Sequence, residues 1–331
     1  MRIAIIGASG HYPYVLEGAA LRNDIEIAAV APGTVGEDIS GLVQRCVQKG
    51  FQPKEYGWWT QLLDAEQIDI AAINPWYCDS AAIAMECLKK GVHVYSGKPL
   101  ATDLHTLDAL KEVYLSSSAD LGAMYDGRHT TWLRTAKKAI DAGLIGKVRL
   151  LHGQKSYKMG VRGEVYYKIK SYGGMLAWIA IHPVSWFSYV LGTEPVWVSA
   201  QTDAHENGGF GAMESTGCML LRYPEGVLAT INADFYRPTG APRHDDDRIR
   251  ITGTRGMIEV IDGRAYLENE NGRTSLEPEE DKNPFLYFAD AIGTECAKEQ
   301  AREAFVTARA CLLARDAADE GGAKWLAKER M

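Results

Sequence analysis

Between residues 2 and 114 the chain repeats one pattern: a short apolar run, a break, then a stretch with helical spacing. The first cycle is Arg2-Ile3-Ala4-Ile5-Ile6, the turn Gly7-Ala8-Ser9-Gly10, and a helix from Pro13 in which Val15, Leu16, Ala19 and Leu21 share a face. Further strands are expected at 25–30, 68–73 and 92–95, with helices near 58–63, 80–90 and 104–114. Strands that alternate with helices are joined by crossovers rather than hairpins. They therefore run parallel, in a doubly wound α/β sheet with helices on both faces. Such a sheet gathers its chemistry beyond the carboxyl ends of its strands.

The character changes after Ser116-Ser117-Ser118. A helix over 132–142 ends at Gly143, and strand-like runs follow at 148–154, 196–202, 216–222, 227–234, 248–253, 257–261 and 265–268. Turn residues such as Tyr223-Pro224-Glu225-Gly226 and Gly253-Thr254-Arg255-Gly256 separate them at hairpin spacing. This predicts an open, largely antiparallel sheet of the α+β type, closed by helices over 284–299 and 302–319. With 331 residues, two domains can each bury a core. The expected division is a dinucleotide-binding domain over 1–124, with helix 302–319 packing back onto it, and a substrate-binding and oligomerisation domain over 125–331.

Composition excludes several classes. A net charge of −7 with scattered Lys and Arg leaves no basic face for nucleic acid. The six cysteines form no CxxC pair and sit among apolar neighbours, as reduced thiols in a cytoplasmic protein do. No metal site is expected. The chain enters a strand at Arg2, and no apolar run reaches the roughly 18 residues of a membrane span, so neither secretion nor membrane insertion is expected.

Two motifs carry chemistry. The strand at 92–95 delivers Gly97-Lys98-Pro99 into a turn, and Gly173-Gly174 leads into an apolar stretch that ends at His182. A lysine and a histidine are what a hydride transfer coupled to proton movement requires. His244-Asp245-Asp246-Asp247 suggests a metal run, but consecutive residues of an extended segment point to alternate sides. It is read as a solvated turn. No serine or cysteine lies on a nucleophile elbow.

In this order and spacing, Ile5-Ile6-Gly7, Ile73-Asn74-Pro75, Lys98-Pro99-Leu100-Ala101, Gly143-Leu144-Ile145-Gly146-Lys147-Val148, Gly173-Gly174 through His182, Ile251-Thr252-Gly253-Thr254-Arg255-Gly256 and Glu303-Ala304-Phe305 make the chain similar to the Gfo/Idh/MocA family of NAD(P)-dependent oxidoreductases over nearly its whole length. The resemblance implies an N-terminal Rossmann domain and a C-terminal domain whose open sheet carries substrate residues on one face and often pairs subunits on the other. It implies a dehydrogenase or reductase acting on a CH–OH group of a small polyhydroxy substrate: a sugar, cyclitol or sugar acid. Lys98 and His182 are then the catalytic pair. A positive nicotinamide about 5 Å away, at an effective dielectric of about 20, opposes the Lys98 ammonium by roughly 3 kcal/mol, which favours the proton-accepting amine. Gly7, Ser9, Gly10, His11, Tyr12, Thr34, Pro75, Trp76, Lys98 and Pro99 are expected at the cofactor, and Trp178, Tyr172 and Arg128 at the substrate.

Four positions depart from the family pattern. Ser9 and Tyr12 replace the second and third glycines of GxGxxG, so Gly10 must give the phosphates their close approach, with the helix amides behind it. After the second strand comes Ala31-Pro32-Gly33-Thr34-Val35-Gly36, with no acid before Glu37 to hold a ribose 2′-hydroxyl. That absence, with Thr34 as an acceptor of a 2′-phosphate, favours NADP over NAD. Gly97 replaces the glutamate before the lysine, and Trp178 replaces the aspartate four residues before His182, where a helix would place both on one face. Trp178 offers a stacking wall but no proton. These losses keep open a second class, a non-catalytic dinucleotide-binding sensor, and a third, cofactor-assisted elimination. Alternating Val196, Val198 and Ala200 are expected on an exposed sheet face, making a homodimer or homotetramer.

Overall fold

The computed structural model describes residues 1–125 and 127–326. They form two compact units: residues 1–124 with 283–305, and residues 125 and 127–282 with 306–326.

The first unit contains β1 (Arg2–Ile6), α1 (Pro13–Ala19), β2 (Glu26–Ala31), α2 (Ser40–Gln48), β3 (Lys54–Glu55), α3 (Trp59–Ala65), β4 (Ile70–Ile73), α4 (Tyr77–Lys89), β5 (His93–Ser96), α5 (Leu104–Ser116) and β6 (Leu121–Ala123). Its six strands lie in the order β3-β2-β1-β4-β5-β6 and every pair is parallel. This is the Rossmann arrangement. The strand order reverses between β1 and β4, which opens a crevice beyond their carboxyl ends. The fully apolar runs Ile3-Ala4-Ile5-Ile6 and Ile70-Ala71-Ala72-Ile73 are buried on both faces, as central parallel strands require.

The second unit contains α6 (Thr131–Asp141), β7 (Val148–Tyr157), α7 (Ile169–Tyr172), α8 (Ile181–Leu191), β8 (Trp197–Asp203), β9 (Thr216–Arg222), β10 (Leu228–Asp234), β11 (Asp245–Gly253), β12 (Gly256–Ile261), β13 (Arg264–Asn269) and β14 (Gly272–Ser275). The chain continues through α9 (Pro284–Ala291), α10 (Glu295–Glu320) and β15 (Lys324–Trp325). The nine-stranded sheet runs β14-β13-β12-β11-β7-β10-β9-β8-β15 and is antiparallel except between β7 and β10.

The break between the closing helices falls at residues 292–294, not at 300–301. Helix α9 adds Phe285 and Phe288 to the first core, where Phe288 stacks on Tyr95 at 5.1 Å. Burying each such ring contributes about 1.5–3 kcal/mol. Of α10, residues through 305 group with the first unit and the rest with the second.

Two sequence expectations need correction. Val198 and Ala200 are buried on the covered face of β8, and the alternation of the strand turns Trp197, Ser199 and Gln201 to the other side. Exposed apolar residues of the open face include Leu150, Leu220, Leu228 and Trp325, with Leu228 paired to Leu150 in register. Residues 169–191 also make one helical stretch long and apolar enough to cross a membrane, but 83% of its qualifying 18-residue window is buried inside the protein. Its apolar surface belongs to the core of the second unit.

Candidate functional site

The crevice of the first unit is built on close backbone approach. Gly7 has φ +84°, and a Cβ there would lie 2.3 Å from the Pro75 nitrogen and 2.5 Å from the Asn74 oxygen. Only glycine fits. Gly7 N donates to Ala31 O at 2.8 Å and Ser9 N to Asn74 O at 2.7 Å, which fixes the turn against the ends of β2 and β4. Asn74 itself is 2% exposed, and both its Oδ1 and Nδ2 are buried without a hydrogen-bond partner. Leaving such a group unpaired costs about 1–3 kcal/mol. Its Oδ1 faces Gly10, where a Cβ would stand 2.4 Å away, and Gly97, where it would stand 3.8 Å away. Gly97 N donates to Ile73 O at 2.8 Å, so Lys98 and Pro99 follow directly beside Asn74 at the end of β5. Lys98 is 2% exposed.

Beyond β2 the first acid is Glu37. Glu37 folds back through the Gly33–Gly36 loop. Its Oε1 accepts from Ala8 N at 2.8 Å and Ser9 Oγ at 3.1 Å, and its Oε2 from Gly33 N at 2.9 Å and Thr34 N at 3.2 Å. The Thr34 hydroxyl donates to Asp79 at 2.7 Å and accepts from Trp76 N at 2.9 Å. The amides and the hydroxyl assigned to a 2′-phosphate are therefore committed to carboxylates and to the chain itself. The nearest acid after β2 is thus Glu37, six residues past the end of the strand.

The remaining cofactor positions divide. Pro75 is buried against Gly33, Trp76 is half-buried, and the His11 ring stacks on Tyr14 at 5.4 Å. Tyr12 is a correction: its ring joins the core with Val15 and Leu16, under Arg45 at 5.6 Å, so only its backbone borders the turn.

In the second unit, Gly173 and Gly174 both have φ +89° and turn the chain into the helix that carries His182. Residues Leu176–Ala180 form a π-helical turn before α8 begins at Ile181. Such turns insert a residue and occur often at functional sites. The expected α-helical alignment of Trp178 with His182 is accordingly altered. His182 is 1% exposed. Trp178 is no open wall: it stacks on Phe235 at 5.9 Å and meets Tyr166, Tyr157 and Tyr172 edge-on. Tyr172 is wholly buried, and its hydroxyl accepts from Glu214 N at 3.1 Å, which withdraws it from the substrate role. Arg128 lies over the Tyr189 ring at 5.3 Å. Asp126, also a candidate lining residue, lies outside the described residues.

Glu214 anchors this helix. Its Oε2 accepts from Met175 N at 2.5 Å, and a Cβ on Gly174 would come within 3.0 Å of it. Burial raises its carboxyl above the ordinary 4.5, outweighing the hydrogen bonds from Thr202 and Met175 and the charge of Arg315 that lower it. The folded state then holds the proton that the unfolded state has lost, so this group's contribution to stability falls as pH rises above 4.5. Glu214→Gln keeps an acceptor and removes the titration. Melting temperatures taken from acid to neutral pH should show the wild type losing ground to the variant; parallel curves would refute the assignment.

The Asp245-Asp246-Asp247 run is strand, not solvated turn. Asp246 pairs with Arg237 at 2.9 Å and Arg248 at 3.0 Å on one face, while Asp247 pairs with buried Lys155 at 2.6 Å on the other. The cysteines are free thiols, with Cys78 and Cys218 exposed rather than buried.

Residues 133–259 match the GFO/IDH/MocA C-terminal domain. A solved structure of an oxidoreductase from Thermotoga maritima is 34% identical and covers 98% of this chain and 100% of its own, with a TM-score of 0.93. Myo-inositol 2-dehydrogenase of Thermotoga maritima is 23% identical over 82% of this chain and 79% of that protein. Trans-1,2-dihydrobenzene-1,2-diol dehydrogenase of Bos taurus is 22% identical over 85% and 81%. A Rossmann sheet with a glycine cradle at its switch point, a nine-stranded mixed sheet and these likenesses agree: the chain belongs to the Gfo/Idh/MocA family of oxidoreductases.

Proposed function

We propose that the chain is an NAD-dependent oxidoreductase acting on a carbinol carbon of a small polyhydroxy substrate, with Lys98 as the proton-transfer residue and His182 as its helper. The observation that carries this reading is the buried, unpaired Asn74 amide at the sheet's switch point, directly beside Lys98. A polar ligand that pairs this amide recovers the cost of burying it. Gly7 and Gly10 let the turn pack directly on Asn74 and Pro75, which sets the turn's backbone beside that amide. The Gly7–Gly10 turn and Asn74 would hold the dinucleotide, and Glu37 would take its adenine ribose. Relatives named for inositol and dihydrodiol substrates support a vicinal diol or polyol.

When bound, the dinucleotide accepts or gives the hydride. Lys98 takes the hydroxyl proton in the oxidising direction and returns it in reverse. His182 orients that hydroxyl. Trp178, closed on one face by Phe235, gives an apolar base to the substrate basin rather than a stacking wall. Mass spectrometry of the nucleotide that copurifies tests the cofactor, and a polyol panel read at the reduced nicotinamide absorbance tests the reaction. Bound nucleotide without turnover of any polyol would favour the sensor reading.

We also propose a cytoplasmic homodimer or homotetramer built on the open face that displays Leu150, Leu220 and Leu228. Light scattering at micromolar concentration should give two or four chain masses. Leu228→Lys, which sets a charge beside Leu150, should shift the population toward monomer; a wild-type monomer would contradict the assembly.

A further inference from the structure

Resting on the oxidoreductase reading, we infer that Glu214 is a positioning residue for His182, which it sets in place through the backbone amide of Met175. The helical stretch that carries His182 starts from a turn with no stiffness of its own. Gly173 and Gly174 both have φ +89°, and a glycine pair leaves the direction of the chain after it to tertiary contacts. Two side chains from distant segments supply those contacts. Arg315 Nη1 donates to Gly173 O at 3.2 Å, and Glu214 Oε2 accepts from Met175 N at 2.5 Å. An amide at the head of a helix has no acceptor within the helix, so the group that takes it decides the angle at which the helix leaves the turn.

Glu214 can hold that angle because it is itself held. It is buried, its own N donates to the Tyr172 hydroxyl at 3.1 Å, and Thr202 gives its carboxyl a further hydrogen bond. The next residue, Ser215, is wholly buried and donates from N to Asp203 O at 2.8 Å and from Oγ to His205 O at 2.6 Å. On the side of the turn, a Cβ on Gly174 would stand 3.0 Å from Glu214 Oε2 and 3.5 Å from Arg315 Cδ, so the turn is closed down on the carboxylate. His182 lies two helical turns beyond Met175, about 10 Å along the axis. Every residue between them is buried. A stretch packed on all sides moves as one piece, so a shift at Met175 is delivered to the imidazole. The register of the π-helical turn at Leu176–Ala180 is likewise set where the stretch begins.

Two conservative variants separate reach from charge. Glu214→Gln keeps the reach of the acceptor and loses its charge, whereas Glu214→Asp keeps the charge and draws it back by one methylene. With the full chain, NAD and a polyol turned over in the panel, Glu214→Asp should raise KM by roughly tenfold and lower kcat less, the pattern expected of His182→Asn; tenfold is the worth of one hydrogen bond to a charged acceptor. Glu214→Gln should stay within about threefold of the wild type. In the His182→Asn background, Glu214→Asp should cost less than about twofold, because the group it positions is gone. Equal losses in the two backgrounds, or a larger loss in Glu214→Gln than in Glu214→Asp, overturn the proposal. If no polyol turns over, the oxidoreductase reading fails separately and hydrogen exchange decides. The amides of residues 175–182 should exchange roughly tenfold faster in Glu214→Asp than in the wild type or Glu214→Gln, with β7 and β10 unchanged. Equal exchange in all three proteins overturns the proposal.

Discussion

Lys98→Met should lower turnover by about 10²- to 10⁴-fold while leaving dinucleotide affinity within a few-fold. That range is what a positioned general acid–base group contributes. Methionine keeps the length and apolar stem of the side chain, so the packing of a residue only 2% exposed is largely preserved and the ability to carry a proton is lost. The affinity should hold because Asn74, Gly7 and Gly10 form the cradle without the Lys98 ammonium. His182→Asn separates the second role. If His182 orients the hydroxyl, KM rises and kcat falls less than with Lys98→Met. Full activity in Lys98→Met on an identified substrate would remove the lysine from the mechanism.

NADH should bind about 100-fold more tightly than NADPH, and Glu37→Gln should compress that ratio to within about tenfold. The carboxylate of Glu37 sits on four donors from two loops, with Asp79 held next to it through Thr34. A ribose 2′-hydroxyl can donate to such a carboxylate, whereas a 2′-phosphate meets like charge. Two unit charges 4 Å apart repel by about 4 kcal/mol at an effective dielectric of 20, and solvent at the crevice mouth reduces this to the 2–3 kcal/mol that the 100-fold figure represents. Removing the charge of Glu37 removes most of it. Fluorescence titration of the reduced nucleotides reads the ratio without any substrate. Tighter binding of NADPH by the wild type would overturn the assignment of Glu37.

The legible part of this fold was the part written in short-range periodicity. Strands β1, β4 and β5 show as apolar runs, and the glycine turn after β1 announces itself because only glycine tolerates the approach of Asn74 and Pro75. Short elements such as β6 and β14 carry too little pattern to be seen. Lys98 and His182 were singled out because each ends an apolar segment. The contacts of Glu37 were not legible because they depend on a loop that doubles back, which Gly33 and Gly36 permit but no fixed offset encodes. Asn74 stood in a quoted motif without a role, since only the structure reveals that its buried amide has no partner. Trp178 was misjudged for a related reason. Its neighbours Phe235, Tyr157 and Tyr166 come from distant segments, and the π-helical turn that sets its direction has no signature in the apolar run.

The most direct measurement of the central claim is isotope transfer. A polyol turned over in the panel, prepared with deuterium on the carbinol carbon, is incubated with the full chain and NAD, and the recovered nucleotide is weighed by mass spectrometry. The account predicts NADH heavier by one mass unit, with the deuterium at C4 of the nicotinamide ring, and loss of that product in Lys98→Met. Tightly bound nucleotide that is never labelled or reduced by any polyol would contradict it.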